Sequence, residues 1–371
     1  MKCIFTTNGL AFSYDHKVKP CCVFKRDTWE HTIDNTDLTT WFSSPAMTKI
    51  RDQLDKDIWP SQCSSCKFQE SQGRGDSVRL NGESSYNHYT NDDLTLEIRP
   101  GNTCNFACQT CWPSASSRVS SYHKQAFGTK DVVSKRYDDF SFLDPVKHRL
   151  KDIVLLGGEP FYDKSCLNFL SWLKNSDTDA NLTMFTNGSV LDWDFINNYK
   201  GKLTISVSLD AVGKIAEYVR PGTEWETVSE NYARLKKTPH INTRVNITPS
   251  VYNFPFLSDL VEWLAQDWPE IVSIGIVSQP YLRECVVPKD CRTQIIDNLL
   301  NTVNVVKNSN IIEHQKQNTI GALMSIANNL QTEEFDNHLH EQFLQHMTKL
   351  DLVKNLYGID YSGYYEDIKK T

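Results

Sequence analysis

Three cysteines within eight residues, Cys104, Cys108 and Cys111, follow a short alternating stretch and a Pro-Gly pair. No other feature restricts this chain as much. Leu94, Leu96 and Ile98 alternate with Thr95, Glu97 and Arg99, the period-two pattern of a strand, and Pro100-Gly101 then turns the chain. The C-x3-C-x2-C spacing lets three thiolates wrap one corner of a cubane iron–sulfur cluster, each on a different iron. A closed zinc site asks for four ligands, usually as two C-x2-C pairs, and this loop has one such pair and a cysteine out of step. A ferredoxin-type cluster asks for a fourth cysteine nearby, and none follows before Cys166. The loop therefore predicts a cluster with one iron left open.

Placed after a first strand, this spacing resembles the signature of the radical S-adenosylmethionine (SAM) superfamily. The resemblance implies a [4Fe–4S] cluster whose open iron is chelated by the amino and carboxylate groups of SAM. Reductive cleavage of the sulfonium then yields a 5′-deoxyadenosyl radical that abstracts hydrogen from substrate. In that family an aromatic residue commonly precedes the last cysteine, and here Thr110 stands there. One wall of the adenine pocket is thus either missing or supplied elsewhere, with Phe106 and Trp112 as candidates.

The 371 residues suffice for one large domain or two to three smaller ones. A net charge of −7 and pI near 5.8 argue against a nucleic-acid scaffold or a membrane-surface protein. No run of eighteen apolar residues predicts a transmembrane helix, and MKCIFTTNGLAF does not make a signal peptide. Eleven cysteines, most of them at metal-ligand spacings, fit a reducing cytoplasm better than a disulfide framework.

Residues 1–90 carry a second constellation: Cys3, the pair Cys21-Cys22, and Cys63-x2-Cys66, with an amphipathic helix expected over Thr39 to Leu54. In an extended segment Cys21 and Cys22 point to opposite faces, so only one of them joins a given metal. Four thiolates close a site, making it structural or electron-transferring. Zinc and iron–sulfur both satisfy it. The order of cysteine, PCC, helix and C-x2-C resembles the twitch (shortened SPASM) extension of radical SAM enzymes, here placed before the core. That likeness implies an auxiliary [4Fe–4S] cluster, with zinc as the alternative. Residues 67–91 read as a polar linker with at most one helical turn.

From 91 to 288 short apolar runs alternate with helical stretches, the pattern of an α/β fold with a parallel sheet. Strands are expected at 94–99, 152–158, 181–188, 202–210, 242–250 and 271–279. Six strands suggest a partial (β/α)6 barrel, whose chemistry sits at the strands' C-terminal ends. The second strand ends in Gly157-Gly158-Glu159-Pro160, which looks like the family motif holding the SAM amino group. Ser206, Ser208 and Asp210 share one face of the fourth strand. By resemblance the serines contact SAM, with Asp210 nearer the substrate as a candidate catalytic group. Arg220 before Pro221-Gly222 matches the relatives' arginine that pairs with the SAM carboxylate. Thr186, Asn187 and Asn246 rank below these as further candidates at strand ends. Cys166, Cys285 and Cys291 read as buried small hydrophobes, Cys285 alone being a candidate hydrogen-atom donor.

Residues 289–371 turn to helical periodicity and form an extension that caps the barrel or binds a partner. His314, His338, His340 and His346 lack a metal spacing and are expected in solvent. Taken together, the chain is expected to be a cytoplasmic radical SAM oxidoreductase, away from membranes and nucleic acid. It would take an electron from a donor such as flavodoxin or ferredoxin. A peptide substrate comes first and oxidation of a small carbohydrate or alcohol second. A zinc- or cluster-binding sensor without turnover is the non-enzyme alternative.

Overall fold

The computed structural model describes residues 1–25, 29–71, 77–130, 136–269, 271–275 and 277–356. The tyrosine-rich tail lies outside the described residues. The described residues form eight strands: β1 (Gly9–Phe12), β2 (Val18–Lys19), β3 (Leu94–Ile98), β4 (Leu150–Leu155), β5 (Asn181–Thr186), β6 (Leu203–Ser208), β7 (Ile241–Ile247) and β8 (Ile271–Ile274). They form one sheet in the order β2-β1-β3-β4-β5-β6-β7-β8. The pairs β1–β3, β3–β4, β4–β5 and β7–β8 are parallel, and β2 runs antiparallel on β1.

All six expected strands are therefore found, each ending earlier than expected, and two more precede them. The extra pair was not foreseen because β1 is buried at all four positions and β2 has only two residues, so neither shows alternation. Helices separate the parallel strands: Ser117–Phe127 after β3, Lys164–Asn175 after β4, Trp193–Asn198 after β5, Gly213–Val219 and Trp225–Lys236 after β6, and Leu257–Ala265 after β7. The expected N-terminal helix runs over Pro45–Asp55, capped by the Ser44 hydroxyl.

The supposed linker is more ordered than its composition suggested. Ser64–Ser71 and Val78–Tyr86 are both helical. Ser77 caps the second by accepting from the Leu80 N–H at 3.2 Å, and Arg79 pairs with Glu70 at 2.5 Å and Glu83 at 3.1 Å. Capping and paired charge supply what an apolar stripe did not.

The chain divides into two compact units. The first comprises Met1–Thr103, Val133–Met184 and Asp192–Thr204. Its sheet buries Leu96, Ile98, Ile153, Leu155, Leu182 and Met184, which the registers Leu96↔Ile153↔Leu182 and Ile98↔Leu155↔Met184 place on one face. Thr95, Glu97, Asp152 and Val154 fall on the other face.

The second unit comprises Cys104–Val132, Phe185–Leu191 and Ile205–Thr371. Its last three helices are Lys289–Asn308, Glu313–Thr332 and Asn337–Lys354. Among the described residues no helix is long and apolar enough to cross a membrane. Arg292 ties this region together. It is buried and donates to the carbonyls of Val287 (2.9 Å), Leu330 (2.9 Å), Glu333 (2.5 Å), Glu284 (3.4 Å) and Cys285 (3.4 Å). Leu330 O is one of the carbonyls that the end of helix Glu313–Thr332 leaves without an intrahelical partner. Replacing Arg292 by Met orphans several buried acceptors and is expected to cost about 3 kcal/mol, read as a lowered urea midpoint with the slope unchanged.

Candidate functional site

In the second unit the cysteine loop is held by main-chain bonds rather than by regular structure. Ala107 N–H donates to Pro221 O at 2.8 Å and Gln109 N–H to Val219 O at 2.9 Å. The segment Val219–Pro221 therefore braces the stretch between Cys104 and Cys111. Phe106 N–H points at the Cys104 sulfur (3.4 Å), and the Asn187 amide lies 3.9 Å from the same sulfur while donating to Asn105 Oδ1 at 2.9 Å. Asn187 is half of a turn in which its own Oδ1 accepts from the Ser189 N–H and hydroxyl. Thr186 is buried and accepts from the Gly188 N–H.

Charge in this loop is crowded. Burial, the nearby Cys108 sulfur and little else push the Cys111 thiol up to about 12, against the pull of Arg220 and Lys354. Burial likewise raises the Cys108 thiol, with Asp210 adding to it and Arg220 and Lys354 opposing. Without a cation among them the thiols hold their protons, so metal binding would release them. Arg220 feels Cys108, Asp210 and Cys104; burial disfavours its charge, yet these partners more than compensate and hold the guanidinium positive.

Arg220 and Asp210 are brought together: Nη1 donates to Asp210 Oδ2 at 2.7 Å. The other carboxylate oxygen accepts from Thr248 N–H at 2.7 Å, and the Asp210 carbonyl accepts from Asn253 Nδ2 at 2.7 Å. Both oxygens of Asp210 thus have partners. Ser206 is buried and Ser208 half-buried on β6. Asn246, on β7, accepts at its main-chain oxygen from Leu209 N–H at 3.0 Å. Of the two candidate aromatic walls, Phe106 is buried, whereas Trp112 is half exposed and donates to Ser278 Oγ at 3.0 Å.

The C-terminal helix reaches the same loop, which nothing in the sequence signalled. Lys354 Nζ donates to Gln109 Oε1 at 2.7 Å, Gln109 Nε2 donates to Asp351 Oδ1 at 3.1 Å, and Tyr218 OH donates to Asp351 Oδ2 at 2.9 Å. Burial lowers the Lys354 ammonium to about 8 despite Asp351, Cys108 and Cys111. His346 stacks on Phe127 at 4.9 Å and meets His123 at 5.2 Å. Burial first, and then His123 and Lys354, drop its pKa to about 4. His340 is bonded to Val286 O at 2.7 Å. The expectation of solvated histidines therefore fails for His340 and His346 and fits the exposed His314 and His338. Periodicity identifies a buried face without saying what it packs on.

In the first unit, Gly157, Gly158 and Glu159 follow β4. A Cβ on Gly158 would lie 2.1 Å from Thr103 O, and one on Gly157 would lie 2.9 Å from Cys166 Sγ. Glu159 is buried, and its N–H donates to Thr103 O at 2.9 Å. Asp163 completes this corner: one carboxylate oxygen accepts from Thr103 N–H at 2.6 Å and the other from Ser165 N–H at 2.8 Å, capping helix Lys164–Asn175. Sequence reasoning passed over Asp163, although an Asp directly before a helical run is a legible cap.

The N-terminal cysteines also gather in the first unit. Cys3, Cys21, Cys63 and Cys66 line one cavity with Phe5, Leu54 and Trp59. Burial raises the Cys3 thiol to about 11, with Cys66 adding to it, and the Cys63 thiol to about 12, with Cys3 and Cys66 adding. Cys22 is absent from that lining: it shares a second pocket with Cys21 and Glu97 and lines a third with Glu97, and burial and the Glu97 carboxylate push its thiol up to about 12. Of the remaining thiols, Cys166 and Cys291 are buried, and Cys285 donates to Pro280 O at 3.9 Å. All eleven cysteines are free of disulfides.

Residues 98–249 match the family model of the Radical SAM superfamily. This stretch of the chain is therefore similar to a Radical SAM domain. No curated protein matches the sequence. Among solved structures, native anSMEcpe with bound AdoMet shares 16% identity over 57% of this chain and 60% of that chain (TM-score 0.42). Streptococcus suis SuiB bound to S-adenosylmethionine shares 15% identity over 72% of this chain and 59% of that chain (TM-score 0.41). TYW1 with a lysine-pyruvate adduct bound shares 16% identity over 72% of this chain and 90% of that chain (TM-score 0.38). The chain thus spans about 60% of the length of the first of these and 59% of the second.

The Thr103 carbonyl opposite Gly158 is main chain and cannot swing aside. Gly158→Ala is expected to cost about 2–3 kcal/mol by overpacking, measured as a lowered urea midpoint, whereas Ser189→Ala should stay within about 1 kcal/mol.

Proposed function

We propose that Cys104, Cys108 and Cys111 hold a [4Fe–4S] cluster whose open iron takes SAM, and that the enzyme uses the pair to abstract hydrogen from a substrate. The observation that carries this reading is the braced loop itself. Three cysteines sit on a segment fixed at Ala107 and Gln109, with Arg220 in electrostatic reach of Cys104 and Cys108 and with Cys108 in reach of Cys111. Among the described residues, no three His, Cys, Asp or Glu side chains are set for a single metal ion. A cubane does not ask for that, because each cysteine binds a different iron and the sulfurs stand further apart than around one zinc.

When bound, the cluster and SAM supply one-electron cleavage of a sulfonium and a carbon radical able to take a hydrogen atom. The chain's own residues bind and orient. Glu159, following two glycines, would accept from the SAM ammonium. Ser206 and Ser208 would line the ribose or methionyl side, and Asn187 would steady Cys104. Arg220, held by Asp210, would face the SAM carboxylate with its remaining donors. Asn246 is a further polar group for this pocket.

Cys3, Cys21, Cys63 and Cys66 would hold the auxiliary cluster, which their shared cavity supports and which leaves Cys22 outside the set. This goes with a cysteine-rich region over 1–90, a radical SAM core over 91–288 and a helical extension over 289–371. A closed four-thiolate cluster suits an oxidation, since it can accept the electron left on a substrate radical. By resemblance to relatives with such an extension, the substrate is a peptide, and the electron comes from a small donor protein such as flavodoxin or ferredoxin.

Anaerobic reconstitution should give about eight irons per chain for two four-iron clusters, and dithionite with SAM should release 5′-deoxyadenosine. Cys104→Ala or Cys108→Ala is expected to abolish that release. Cys63→Ala should leave part of it while stopping product formation. Release that survives in Cys104→Ala rejects the assignment of the radical-generating site.

A further inference from the structure

Helix Asn337–Lys354 ends in Asn355, whose left-handed backbone (φ 54°) stops it. A lysine at such an end usually extends its ammonium into water. Lys354 instead turns inward to Gln109, the first of the two residues between Cys108 and Cys111, and its charge is felt at both sulfurs. Asp351, on the same side of the helix three residues earlier, holds the other end of the Gln109 amide and the Tyr218 hydroxyl. Gln109 is thus gripped by a cation and an anion of one helix, while its main chain is pinned to Val219.

Burying an ammonium is costly unless something nearby repays it. Asp351 repays part. Three cysteines that become thiolates on binding metal would repay more, and the cost is then incurred where it alters chemistry. We propose that the C-terminal helix sets how readily the cluster on Cys104, Cys108 and Cys111 is reduced, with Lys354 favouring the added electron and Asp351 opposing it. The inference rests on the cluster reading above. Reduction adds one electron from an external donor and breaks no bond at that step. A fixed cation close by stabilises the product of that step and a fixed anion destabilises it. Lys354 is a positioning and tuning residue, acting through Gln109 and through space.

The test is a redox titration of the reconstituted full-length chain at pH 7 without SAM. It follows the electron paramagnetic resonance signal that is lost in Cys104→Ala. Lys354→Met should be about tenfold harder to reduce, a midpoint about 59 mV more negative for one electron. Asp351→Asn should shift the opposite way, and Lys354→Arg should match the wild type. Iron content and circular dichroism check loading and fold. A merely structural clasp would move both neutralising variants in the same direction, and that result, or an unmoved midpoint in Lys354→Met, overturns the inference while leaving the cluster assignment standing. A wild-type chain with no such signal overturns both. Should Lys354→Met fail to retain iron, the sign of the Asp351→Asn shift decides: a positive shift supports the proposal, and no shift or a negative one overturns it.

Discussion

The ion pair between Asp210 and Arg220 is the constraint on which the second unit's functional edge depends. A buried carboxylate is expensive unless its lone pairs are taken. Here one oxygen takes Arg220, the other takes Thr248 N–H, and the carbonyl takes Asn253. One residue thereby joins the end of β6 to the segment after β7 and to the turn at Val219–Pro221. That turn in turn supplies the carbonyls that brace Ala107 and Gln109. Asp210 is better understood as the keystone of the cysteine loop's support than as a group free to meet substrate.

Much of this was legible before the fold was known. The three-cysteine loop, the glycine pair before Glu159 and the six strands from β3 to β8 are all local patterns, in which spacing of a few residues carries the information. The parity of β6 likewise assigned Ser206 and Ser208 to one face. What escaped was non-local. The strands β1 and β2 are too short and too uniformly buried to show a period. Helix Val78–Tyr86 rests on a cap and on charges paired across Arg79. Lys354 reaches Gln109 over 245 positions of chain, and no periodicity encodes such a partner.

The adjacent pair Cys21-Cys22 shows how far elementary geometry reaches. Neighbouring residues on an extended chain point apart, which predicts that one thiol joins Cys3, Cys63 and Cys66 and the other does not. Which one depends on what covers each face: a cavity walled by Phe5, Leu54 and Trp59 for Cys21, and the Glu97 carboxylate for Cys22. The pair itself lies past β2 in a turn that Phe24 N–H closes on Cys21 O at 3.3 Å, so tertiary packing rather than strand alternation decides which thiol joins the cavity.

The parallel pairing of β1 with β3 has a consequence for how the chain is made. Gly9 lies against Thr95, 86 residues later. At translation speeds of about 5–20 residues per second, roughly 4–17 s pass before the first strand's neighbour exists. All four thiols of the N-terminal cavity have been synthesised by then, on a segment whose sheet partner so far is the two-residue β2. The making of those four thiols and the arrival of β3 are thus separate events in time, and the N-terminal segment waits on a strand that is made long after it.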